Sequence, residues 1–130
     1  MSVQRTPFAG GLSISESVSV DGPGRFTFVS GRIPVDEAGE VIIASPREEV
    51  VSVFDQLEQA LLRAGARLTD VVKLTVFLTD FAALADVNAV RRERFGELVP
   101  ASSAVEVSAL FGGARLEIEA IAFTATGAAE

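Results

Sequence analysis

Residues 100–124, PASSAVEVSALFGGARLEIEAIAFT, decide the fold. From Ala101 to Ala109 the chain alternates, with Val105, Val107 and Ala109 on one side and Ser102, Ala104, Glu106 and Ser108 on the other. The alternation returns after the Gly112-Gly113 turn. Leu116, Ile118, Ala120 and Ala122 point one way, and Arg115, Glu117 and Glu119 the other, until Ile121 and Phe123 make that second face apolar as well. The pattern predicts a strand hairpin with a core beneath it and carboxylates above it.

Working outward from this hairpin, the spacing predicts strands at Ser15–Val20 and Arg25–Ser30 around an Asp21-Gly22-Pro23-Gly24 turn. A loop follows with its own turn at Asp36–Gly39. Ser45-Pro46-Arg47-Glu48 combines a Ser cap, Pro at the first helical position and a capping-box Glu, so a helix starts there and runs to about Ala64. Its buried stripe is Val50, Phe54, Leu57, Leu61 and Ala64, and Gly65 ends it. Asp70–Thr79 reads as a strand. Asp80 then caps a second helix through Leu84, Val87 and Arg91 to Phe95, which Gly96 stops. Residues 1–15, with Pro7 and Gly10-Gly11, read as an irregular arm.

The order is β-β-α-β-α-β-β, an α/β (α+β) arrangement in which two helices cover one face of a mixed sheet. The other face, with Lys73, Thr75, Glu106, Glu117, Glu119, Phe77, Ile121 and Phe123, is expected to meet other subunits. A length of 130 residues suits a single domain, residues 1–130, and the positive mean hydropathy of +0.38 points to an oligomer.

Composition excludes several chemistries. The chain has no Cys and no His, which removes thiol nucleophiles, thiolate or imidazole metal sites and the commonest general base. Nothing calls for a metal or cofactor, and carboxylates, hydroxyls and bound water are left to do any catalysis. A net charge of −7 argues against nucleic-acid partners; Arg91, Arg92 and Arg94 read as a solvated helix face. No apolar run is long enough for a membrane span, and the N-terminus lacks a signal-peptide layout, so a cytoplasmic protein is expected.

The stretches SGRIPVDEAGEV (30–41), DVVKLTVFLTDFAALADVNAV (70–90) and PASSAVEV with RLEIEAIAF together resemble the Rid/YjgF family, over about Arg25 to Phe123. The resemblance implies a homotrimer of chorismate-mutase-like fold, with sheets around a central barrel and small-molecule clefts between subunits. It also implies hydrolysis of reactive imines or enamines such as 2-aminoacrylate. In that scheme a strand Arg holds the substrate carboxylate and a Glu on the last strand positions the attacking water.

Residue by residue, Glu117 matches the catalytic Glu, Ser30 and Gly31 the SG loop, and Asn88 the Asn of a VNA motif. Ser102 stands where the Arg belongs, and Ala104 where many members have Cys. The aromatic residue that usually precedes the first strand is not matched. Arg32 is the candidate for a substitute clamp, and Lys73 reads as an ion-pair partner of Glu106 or Glu119. The expectation is therefore a RidA-like enzyme with specificity altered from 2-aminoacrylate-type acids. A non-catalytic trimer that binds a metabolite or docks on a partner enzyme, and a specialised biosynthetic catalyst, are the alternatives; an endoribonuclease is the weakest.

Overall fold

The computed structural model describes residues 3–10 and 12–126. The first helix, α1 (Pro46–Arg63), forms where its local signals concentrate. Ser45 Oγ accepts from the Glu48 amide at 3.2 Å, and the Glu48 carboxylate accepts from the Ser45 amide at 3.2 Å, which satisfies donors that the first turn leaves open. Val50, Phe54, Leu57 and Leu61 are wholly buried along one stripe. Burial of each contributes about 1.5–3 kcal/mol relative to exposure. Gly65 takes φ +84 just after the helix, a conformation that costs other residues more.

Around α1 the chain builds one six-stranded sheet. Its strands are β1 (Val3–Pro7), β2 (Ser15–Val20), β3 (Gly24–Arg32), β4 (Val71–Leu78), β5 (Ala101–Glu106) and β6 (Leu116–Ala125), in the spatial order β1-β2-β5-β4-β6-β3. The second helix, α2 (Leu84–Phe95), crosses from β4 to the parallel strand β5. A crossover of this kind is what parallel pairing requires. Asp80 caps a 3₁₀ turn at Phe81–Ala83 that leads into α2, accepting from the Ala82 amide at 2.8 Å.

The core lies on one side of the sheet. Leu74, Val76, Leu78, Leu116, Ile118, Ala120 and Ala122 point to the helices and meet Val53, Phe54, Leu57, Val87, Val90 and Phe95. On the opposite side Phe26 and Phe28 are 49% and 72% exposed, and Val105 is exposed as well.

Three sequence expectations are corrected. The predicted hairpin does not form: β4 lies between β5 and β6, pairing parallel with the first and antiparallel with the second. Turn-linked segments need not pair when a more apolar strand such as β4 can satisfy both. The faces of β5 are also reversed. Ser102 sits opposite Leu74, Ala104 opposite Val76 and Glu106 opposite Leu78, all in helix-side register, while Ser103 and Val105 share the open side with Thr75 and Phe77. Finally, the arm expected over residues 1–15 contains β1, antiparallel to β2 and anchored where the Arg5 guanidinium donates to the carbonyls of Val99 at 2.9 Å and Thr69 at 3.1 Å. Gly11 of the expected Gly-Gly pair lies outside the described residues.

Candidate functional site

Two clusters collect most of the residues singled out from the sequence. The first forms where β3 meets β6. Val29 pairs with Ala120 but Arg32 pairs with Ile118, so β3 carries an extra residue in a bulge at Ser30-Gly31. A bulge bends its strand and re-aims the side chains around it, and here Ser30 is exposed. The carboxylate of Glu117 fills the space that a side chain at Gly31 would take: a Cβ there would lie 2.0 Å from Glu117 Oε2. Gly31 is thus required for close approach rather than for its backbone angles.

Glu117 is half-buried on the open side of the sheet, and among the described residues it makes no ion pair. Arg115 and Lys73 both direct their charge elsewhere. Arg115 reaches to the helix side, donating to the buried carboxylate of Glu49 and to the Ala44 carbonyl at 2.7 Å; its hydrogen bond to Glu49 raises its pKa. Lys73 donates to Ser103 Oγ at 3.2 Å on the neighbouring strand, rather than pairing with Glu106 or Glu119.

The second cluster is a hollow of about 260 Å³ between α2, β5 and the segment before β2. Asn88, Ser102 and Ala104 line it with Leu12, Ser13 and Arg91. Arg91 is the site residue that the sequence reading missed. The expected solvated face holds for Arg92, but Arg91 is only 4% exposed, and Arg94 bridges α1 through Asp55 at 2.6 Å. The signal was available: Arg91 lies four residues after Val87, on the apolar stripe of its own helix.

The Arg91 guanidinium donates from Nε to the Ser13 carbonyl at 3.0 Å, from Nη2 to Ser13 Oγ at 3.2 Å and to Asn88 Oδ1, and from Nη1 to Ser102 Oγ at 3.4 Å. Burial first, and the neighbouring charge of Arg92 second, push its pKa down to about 10. At neutral pH it is still a cation.

The two clusters do not meet within one chain. Ser102 and Ala104 are on the helix side of the sheet and Glu117 on the open side, with β4 between their strands. Arg32 joins neither: it is in register with Ile118 on the helix side, lines a hollow with Asp36, Asp55 and Arg63, and has a buried Nε without a partner. Among the described residues no group of three or more Asp or Glu is placed to hold a metal ion, and no helix is long and apolar enough to cross a membrane.

Comparison with known proteins agrees on one family. The family model described as Endoribonuclease L-PSP matches residues 14–124. A RutC family protein of Pyrococcus abyssi is 46% identical over 101 residues, covering 77% of this chain and 80% of the relative. A 2-iminobutanoate/2-iminopropanoate deaminase of Rattus norvegicus is 37% identical over 132 residues, 98% of this chain and 93% of the relative. Among solved structures, RidA from the Antarctic bacterium Psychrobacter sp. aligns with a TM-score of 0.73 at 33% identity, over 95% of this chain and 98% of that one. The matched residues run from β2 into β6 and include Ser30, Gly31, Asn88, Arg91, Ser102 and Glu117, and this chain belongs to the Rid/YjgF family.

Proposed function

We propose that this protein hydrolyses a reactive imine or enamine in clefts formed between copies of itself, with a preference moved away from 2-aminoacrylate-type acids. The observation that carries this reading is Glu117, a half-buried carboxylate without a cationic partner among the described residues, seated against the Gly31 backbone. Such a group is free to accept a proton from a water molecule and to orient it. Water adds to the C=N carbon, giving a carbinolamine that carries one hydroxyl and one amine. The proton taken from water passes to the imine nitrogen as the carbinolamine forms, and in its collapse Glu117 carries the hydroxyl proton to the leaving nitrogen, so that the carbonyl and ammonia result. The rat relative, named for deaminating two imino acids, supports the reaction class.

Assembly between copies is supported by the separation of the two clusters on opposite faces of one sheet. It is supported too by the exposed apolar groups Phe26, Phe28 and Val105 on the Glu117 side. Altered preference rests on Ser102, because a hydroxyl cannot supply the bidentate fork of the strand Arg that the family resemblance implies. The test is hydrolysis of freshly generated 2-iminopropanoate, followed as keto-acid release beside an Arg-bearing relative. Weak turnover there, with faster turnover of a bulkier imine, is expected. Absence of hydrolysis across an imine panel removes the enzymatic reading, and turnover of 2-iminopropanoate equal to the relative's removes the altered preference.

A further inference from the structure

The hollow between α2 and β5 contains a buried positive charge with no counter-charge among the described residues. Each hydrogen bond that Arg91 makes among the described residues goes to a neutral acceptor: the Ser13 carbonyl, two hydroxyls and an amide oxygen. No carboxylate among those residues forms an ion pair with it. A guanidinium has five N–H donors. Nη1 spends one on the long 3.4 Å contact with Ser102 and has no second acceptor among the described residues. Removing a full charge from water without a counter-ion is costly, and an uncompensated one beside a hollow is poised to take an anion.

We infer that Arg91 is the anion anchor of this site, binding the substrate's carboxylate through Nη1 beside Ser102, so that the clamp comes from helix α2 instead of from strand β5. The inference rests on the imine-hydrolase reading for the identity of the substrate, but not for the anion site itself. Ser13 and Asn88 hold the guanidinium at the floor of the hollow, where Ser102 meets it.

The test compares binding of 2-oxohexanoate and its neutral amide, 2-oxohexanamide, by titration calorimetry on the wild-type protein, Arg91→Lys and Arg91→Met. The expected result is at least about 10-fold tighter binding of the acid by the wild type, reduced about 10-fold in Arg91→Lys and abolished in Arg91→Met, as loss of a charge-assisted hydrogen bond implies. Equal binding of acid and amide, no binding of either, or acid binding unchanged in a folded Arg91→Met overturns the inference. If the Arg91 variants do not fold, Ser102→Glu decides. A carboxylate tethered beside Arg91 should raise the melting temperature and block 2-oxohexanoate, and a lowered melting temperature overturns the assignment. Arg91-dependent acid binding without turnover of any imine leaves the anion site standing and removes the hydrolase reading. Equal kcat/KM for acidic and neutral imines does the reverse.

Discussion

Glu117 and Gly31 are in such close register that a single methyl group on Gly31 would occupy the position of the Glu117 carboxylate, 2.0 Å from Oε2. Gly31→Ala should therefore push the carboxylate aside without disturbing the core, since Gly31 is on a strand bulge at the sheet edge. A displacement of this size at a reacting group costs about 10²-fold in rate. The expected outcome is that loss in kcat for imine hydrolysis, with an unchanged circular dichroism spectrum.

Glu117→Gln keeps the shape and removes the proton acceptor. Its imine turnover should fall by about 10²-fold or more, the range that general acid–base groups supply. Ligand affinity measured with 2-oxohexanoate should change little, because that probe is assigned to the other cluster.

The lowered pKa of Arg91, about 10, sets a pH limit on acid binding. An anion needs the protonated guanidinium, so the affinity for 2-oxohexanoate should be level from pH 7 to 9 and fall as pH rises through about 10. The sign for stability is the opposite. Folding lowers this pKa from the ordinary guanidinium range, so the charged form opposes folding, fully so below about pH 10, and that burden eases only above it. A bound acid should accordingly raise the melting temperature at pH 7 and cease to do so above pH 10.

At the start of α1, Ser45→Ala removes the acceptor of the Glu48 amide and breaks the reciprocal cap. The expected cost is about 1 kcal/mol, seen as a lower urea midpoint at unchanged slope.

On the open side of the sheet, Phe28 is 72% exposed beside Phe26, with ring centroids 6.2 Å apart. If this side is where copies meet, Phe28→Lys places a charge in an apolar contact. Sedimentation should then show a lighter species than the wild type, and imine turnover should disappear with it.

How much of this was legible in the chain depended on how local the signals were. The cap at Ser45, the stripe from Val50 to Leu61 and the stop at Gly65 are settled by neighbours within a few residues, and each formed as read. The order of strands was not local. β5 and β6 are joined by a short connection, yet each pairs with β4, which reaches them from another part of the chain. The faces of β5 misled for a related reason: Val105 looks like a core residue but is exposed, while Ser102 and Ala104 face the helices beside small-residue space. In the candidate site, Glu117, Ser30 and Gly31 were legible through the family motifs and come together as a cluster. For Arg91 only half was legible: its place on the apolar stripe after Val87 signals burial, but its partners Ser13 and Ser102 come to α2 only through the fold.

The placement of Ser102 and Glu117 on opposite sides of one sheet has a genetic consequence. On the proposed assembly each cleft draws its two halves from different copies, so a chain damaged at Glu117 and a chain damaged at Arg91 harm different halves. Mixed in one oligomer, the two inactive proteins should complement each other, since a cleft that takes Glu117 from one and Arg91 from the other is whole.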